Sequence, residues 1–443
     1  MIRIRRATTR SGPSDGKVVG RTGSKPIGVR AVSALSPSVY GSPMQPISLT
    51  EHGRPDLPGL SVPFFSQAAS FERIWPEVER HLTEVFGRGK YSHGHKVADF
   101  EEALAGYTGA RHAIAVNSGT DALVLLLRAA GLRPGDEVVV PAFSFMASAS
   151  SVVLAGGRPV FADIDPACYA LDPASVAAVT TPRTRFVMPV HLFCQMADMD
   201  ALAEVACAYG LTVVEDSAEA IGMRWNGRHA GLFGAGGVLS FFPTKTLGAL
   251  GDGGAVLTDD DRIAETVAAL RHHGRFGPTL GDFRRISTQT TMSGQNSKMD
   301  DIQAAVLLTK LDRLGSDIAC RAELAAAYSE RLAGLPGILR LPAVVPRKAA
   351  IDPVYYVYLI EVRHRDALAQ FLARRGIGTE TYYPLPLHRQ PCFTELGHRE
   401  GDFPHAEAAC RHALALPFHP DLTIDQVDYV CETIRAFTKE EAA

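Results

Sequence analysis

The chain has 443 residues, of which 46% are hydrophobic, and carries a formal net charge of -3. This composition provides for one large core and a smaller second domain, offers no basic surface for nucleic acid, and includes no apolar run of the roughly 18 residues that cross a bilayer. The seven cysteines lack CxxC spacing and suggest neither a metal cluster nor a disulfide framework, so they read as reduced thiols of a cytoplasmic protein.

Residues 1 to 60 are rich in Arg, Ser, Gly and Pro, poor in acids, and without helical or strand periodicity. They predict a disordered arm that carries no chemistry. The composition also fits a transit peptide, but the sustained amphipathic pattern of such a peptide is missing. From about residue 75, short apolar β-branched runs alternate with stretches of 3.6 periodicity. Strands are expected at 113–116, 137–140, 159–162, 185–190, 212–215, 238–241 and 255–258. Between the fourth and fifth, "ADMDALAEVACAYG" places Leu202, Val205, Ala206 and Tyr209 at helical spacing, with Gly210 as the stop. The pattern is α/β, a mostly parallel seven-stranded sheet flanked by helices, over residues 61–310. From 311 a long helix, a strand at 353–362, a helix at 365–375 and the loop "YYPLPLHRQPCF" predict a smaller α+β domain over 311–443.

In such a sheet, ligands sit beyond the carboxyl ends of the strands. Three stretches there bear polar residues. "NSGTDALVLLLRAAG" puts Ser118, Gly119 and Thr120 at a strand-to-helix junction, which either caps the helix or cradles a phosphate. "TVVEDSAEAIG" ends a strand on Glu215 and Asp216, either helix-capping acids or partners for a cationic group. "SFFPTKTLGALGDGGAV" has Ser240 on a strand and Lys245 just past it, followed by glycines. A lysine there is either a solvated charge or, where partly desolvated, an amine that attacks a carbonyl. A cradle, a strand-end Asp and a strand-end Lys together match the needs of pyridoxal phosphate: an anchored phosphate, a protonated pyridine nitrogen and a Schiff-base amine.

With these motifs the chain resembles the DegT/StrS-type family of fold-type-I, pyridoxal-phosphate-dependent aminotransferases. The likeness covers about residues 61–436, through "NSGTDAL", "PAFSFMASASSVVLAGGRPVFADID", "MPVHLFCQMADMDAL", "VEDSAEAIG", "SFFPTKTLGALGDGGAV", "NSKMDDIQAA" and "YYPLPLHRQP". It implies that Lys245 is the Schiff-base lysine and Asp216 the partner of the pyridine nitrogen. It further implies that Gly119, Thr120 and Ser240 hold the phosphate, that Phe145 stacks on the pyridine ring, and that Asn296 reaches the phosphate of a neighbouring subunit in a homodimer. Tyr91 in "GRGKYSHG" and His388 in "PLHRQP" are the substrate-side candidates. The resemblance implies no metal.

Three positions depart from the family pattern. Glu219 stands where Gln or His is usual, bringing a second acid towards the cofactor. Lys298 replaces an arginine, and residues 272–295 lack the usual tyrosine- and histidine-bearing loop. The expected reaction moves an amino group from glutamate or glutamine to a keto sugar, carried on a nucleotide, in amino-sugar or natural-product biosynthesis. A cyclic ketone acceptor and a non-catalytic regulatory protein are the alternatives. Sugar dehydration, which in this family uses histidine in place of the lysine, is opposed by Lys245.

Overall fold

The computed structural model describes residues 61–275 and 290–442; the expected arm at 1–60 and most of the departing segment, 276–289, lie outside the described residues. Helices α1 (Ala68–Arg88) and α2 (His95–Thr108) precede β1 (His112–Val116). Helices and strands then alternate through α3 (Gly119–Ala129), β2 (Glu137–Pro141), α4 (Met146–Leu154), β3 (Arg158–Ala162), α5 (Pro173–Val179), β4 (Thr184–Val187), α6 (Met199–Tyr209) and β5 (Thr212–Asp216). A hairpin of β6 (Arg224–Trp225) and β7 (Arg228–His229) leads to β8 (Gly236–Ser240), β9 (Gly254–Thr258) and α7 (Asp261–Leu270). The remainder comprises α8 (Asp301–Leu311), α9 (Leu314–Leu332), β10 (Ile338–Arg340), β11 (Ile351–Asp352), β12 (Tyr358–Val362), α10 (Arg365–Ala373), α11 (Pro404–His412), β13 (Ala413–Leu416) and α12 (Ile424–Ala442).

Seven strands form the main sheet in the order β1-β9-β8-β5-β4-β2-β3. Strand β9 runs antiparallel to both its neighbours, and the other adjacent pairs are parallel. Burial on both faces explains the continuous apolar runs: every residue of "EVVVP" in β2 and "GAVLT" in β9 is buried. The helices are set by local chemistry as well as by packing. The Asp198 carboxylate caps α6 through the Ala201 N–H, and Gly210 ends it at a φ of 66°. A second core gathers Tyr328, Tyr358, Ile360, Leu416 and Ile434 around the antiparallel sheet β10-β12-β13. Among the described residues no helix is long and apolar enough to cross a membrane, and no group of three or more His, Cys, Asp and Glu is arranged to hold a metal ion.

Three elements differ from expectation for identifiable reasons. The strand expected at 185–190 pairs regularly only to Val187, because Pro189 has no N–H to give to a ladder, although Val190 still bridges Asp216. The strand expected from 353 starts at Tyr358, since the Tyr356 N–H is spent on Phe193 O at 2.8 Å. The long helix expected from 311 is α9, which starts at Leu314, and a separate helix, α8, ends at Leu311. The Arg313 N–H closes a tight turn on Lys310 O at 3.1 Å and breaks the ladder there.

Helix α3 carries the strand-to-helix junction and is nearly all core, with Leu125, Leu126 and Leu127 fully buried. Leu126 Cδ1 lies 3.1 Å from where a Cβ on Gly236 would stand, so strand and helix meet without slack. Leu126→Ala should lower the unfolding free energy by about 2–5 kcal/mol, read from urea denaturation.

Candidate active site

Strand β9 fixes the first part of the site. Gly254 pairs with Val116 of β1 on one side and with Ser240 of β8 on the other, so three chain segments converge on it. A Cβ on Gly254 would stand 2.4 Å from the Ser118 carbonyl carbon and 2.6 Å from Gly119 N; one on Gly119 would stand 2.8 Å from Ser240 Cβ. Only glycine permits these approaches. The Ser118 Oγ accepts the Asp121 N–H at 3.1 Å, so Ser118 is the cap of α3. Gly119 and Thr120 start the helix, where amides lack an intrahelical acceptor and the dipole favours an anion.

Strand β5 delivers Asp216 beside β8, in parallel register with Val238. Its Oδ2 accepts the Ser148 hydroxyl at 2.7 Å and its Oδ1 the Ala218 N–H at 3.2 Å. Because Ser148 donates to Asp216, the Ser144 hydroxyl, 2.7 Å away, donates to Ser148. Burial pushes the Asp216 carboxyl above the usual range; the bonds from Ser148 and Ala218 and the Lys245 charge pull the other way. The neighbouring acid is differently employed. Glu215 accepts the Gly231 N–H at 2.8 Å, the Phe233 N–H at 2.5 Å and His191 Nε2 at 3.0 Å. Since His191 Nδ1 accepts the Ala197 N–H, Nε2 carries the ring proton. Glu215 is thus a structural anchor, and Asp216 keeps lone pairs for a cationic ligand.

Lys245 follows β8 on a braced loop. Gln67 Nε2 donates to Pro243 O at 2.9 Å, and Lys310 Nζ, whose pKa burial pushes down to about 8, donates to Gly248 O at 2.6 Å. The Lys245 ammonium is not a solvated strand-end charge. It lies 3.1 Å from Glu219 Oε1 and 4.3 Å from the centroid of the Tyr356 ring, with its side chain 16% exposed. Glu219 is fixed in turn: its Oε2 accepts the Phe193 N–H at 3.1 Å. Phe145 leads into α4; the residue is 60% exposed, with its ring 6.3 Å from that of Tyr383.

The other candidates have partners elsewhere. Asn296 is exposed, accepts from Lys298 Nζ, and bridges His272 on the segment that pairs Lys298 with Val116, at the outer edge of β1. Tyr91 is exposed and packs on Phe86. His388 is buried against Phe403 and bonded to Glu407 at 3.2 Å, and burial lowers its pKa. Ser148, Phe193, Tyr356 and Tyr383 were not foreseen. Their partners lie 26 to 164 residues away along the chain, and no local spacing marks them.

A sequence profile of the DegT/DnrJ/EryC1/StrS aminotransferase family matches residues 73–435. The chain belongs to this family. It is 42% identical over 386 residues to a pleiotropic regulatory protein of Geobacillus stearothermophilus, covering 86% of this chain and 100% of that one. It is 40% identical over 378 residues to the dTDP-3-amino-3,4,6-trideoxy-alpha-D-glucose transaminase of Streptomyces venezuelae, covering 85% of this chain and 96% of that one. The solved structure of S. venezuelae DesV in complex with a ketimine intermediate superposes with a TM-score of 0.80 at 40% identity, covering 86% of this chain and 99% of that chain. As a DegT/DnrJ/EryC1/StrS aminotransferase, this enzyme depends on pyridoxal phosphate. The residues present fit that cofactor: glycines where any Cβ would fill the anion cradle, and a buried carboxylate with acceptor capacity to spare.

Two substitutions probe the carboxylate. Ser148→Ala leaves burial less opposed, so Asp216 is charged less of the time, and cofactor affinity should fall about tenfold in equilibrium dialysis. Asp216→Asn should raise the melting temperature of the cofactor-free protein. A carboxyl whose folded pKa is raised contributes stability below its unfolded pKa and loses it as pH rises through the folded one. The gain from the amide should therefore grow with pH and vanish in acid, as a series of melts across pH would record.

Proposed function

We propose that this aminotransferase passes an amino group from glutamate or glutamine to a keto sugar carried on a nucleotide, serving amino-sugar or natural-product biosynthesis. The observation that carries the reading is the placement of Asp216 at the end of β5 and of Lys245 just past the end of the adjacent β8, with the Gly119–Ser240 contact next to them. Pyridoxal phosphate, when bound, supplies the electron sink for the carbon that gives or receives the amine.

The chain's own groups do the rest. Gly119, Thr120 and Ser240 hold the phosphate at the start of α3, where the helix dipole favours its charge. The Asp216 carboxylate would keep the pyridine nitrogen protonated, and such a contact would offset part of what its burial costs. Phe145 offers a flat ring to a flat cofactor. Lys245 would hold the cofactor through its side-chain amine, and that amine, when free, would move the proton at the substrate carbon. The reading includes a cytoplasmic homodimer in which Asn296 of the partner subunit completes the phosphate site, and a division of each subunit into domains of residues 61–310 and 311–443. Tyr91 is its candidate on the sugar side.

Lys245→Ala should abolish the visible absorbance of the lysine-linked cofactor and lower turnover by about 10³-fold or more, with the melting temperature little changed. Turnover with a panel of nucleotide-linked keto sugars and cyclic ketones, with the aminated product read by mass, checks the acceptor. Amine formation on cyclic ketones alone would contradict the sugar assignment.

A further inference from the structure

Glu219 is a carboxylate held in place before any ligand arrives. It is 5% exposed, and its Oε2 accepts the N–H of Phe193, which adopts a left-handed φ of 66° in presenting it. A non-glycine residue takes up that conformation at a cost. The other oxygen, Oε1, lies 3.1 Å from Lys245 Nζ and 3.5 Å from Tyr383 Oη. The groups facing this pair are Tyr356 from the segment before β12, Tyr382 and Tyr383 from the loop after α10, and Asp216 from β5, with Arg321 of α9 behind Tyr356. Burial pushes the Tyr356 hydroxyl up to about 12 and those of Tyr382 and Tyr383 further, so all three stay neutral donors.

We infer that Glu219 is the seat of released Lys245: it holds the free lysine ammonium while the amino group is carried on the cofactor, and so weights the cycle towards that half. The inference rests on the role proposed above for Lys245. A free ammonium offers three N–H donors and a full charge. A lysine nitrogen bonded to the cofactor has fewer N–H groups and shares its charge, so a fixed carboxylate attracts the free form more strongly. Glu219 is therefore directed at the lysine, where the sequence pattern had suggested a second acid directed at the cofactor. Because the carboxylate anchors the amine, Lys245 does not swing into solvent between its two tasks.

The test compares the dissociation constants of pyridoxal phosphate and pyridoxamine phosphate for the full-length cofactor-free protein at one pH. Linking pyridoxal phosphate breaks the Glu219–Lys245 pair, whereas binding pyridoxamine phosphate leaves it intact. Glu219→Gln, close in shape but neutral, should shift the ratio of the two constants about tenfold in favour of pyridoxal phosphate, and Glu219→Asp should fall between. An unchanged ratio, or a shift the other way, overturns the inference and leaves the role of Lys245 standing. A wild-type protein that gains no visible lysine-linked band with pyridoxal phosphate defeats the underlying reading instead. A crystal structure of the wild-type pyridoxamine phosphate complex tests the same point without a variant. Lys245 Nζ should be hydrogen-bonded to Glu219 Oε1, and an amine turned elsewhere overturns the inference.

Discussion

The carboxylate of Asp216 sits at the end of a strand with neighbours on both sides, where burial opposes its charge and only Ser148 and the Ala218 amide answer it directly. A protein that needed only a stable sheet would be better served by a neutral side chain there. The surroundings make sense as support for this one unfavourable charge. Ser144 orients Ser148, Glu215 and His191 lock the adjacent backbone, and the Asp216 N–H is held by Pro189 O at 2.9 Å. On the function proposed above, the ring nitrogen of pyridoxal phosphate would supply the cation that answers this charge.

The second constraint is geometric. Placing β9 antiparallel between β1 and β8 lets the ends of two strands separated by more than a hundred residues approach one glycine, so that the start of α3 lies against Ser240. The start of α3 and the lysine loop thereby become neighbours, and the loop is held from behind by Gln67, Gln303 and Lys310. Charge and topology meet at Lys245, which has Glu219 for its ammonium and the Tyr356 ring beside it.

Much of this was legible in the sequence because the underlying signals are local. Buried parallel strands write themselves as short apolar runs, Gly210 marks a helix end, and the strand-end positions of Asp216, Ser240 and Lys245 follow from where those runs stop. Which residue caps α3 was open in the sequence, and the Asp121 contact shows that it is Ser118. What was not legible depends on partners distant in sequence. Nothing near Ser148 points to Asp216, and nothing near Phe193 reveals that its amide fixes Glu219. His388 shows the same limit from the other side: its loop resembles one that closes a site, yet Glu407 and Phe403 bury it. The helix expected from 311 starts at Leu314, because helical periodicity runs through Arg313 while its N–H closes a turn on Lys310 O.

On the function proposed above, Lys245, and no other lysine, is the amine that carries the cofactor. Borohydride reduction of the protein loaded with pyridoxal phosphate, followed by peptide mass mapping, tests it most directly. A stable phosphopyridoxyl adduct is expected on the peptide containing Lys245, in stoichiometric yield. An adduct on a different lysine such as Lys298 or Lys310, or no stable adduct at all, would contradict it.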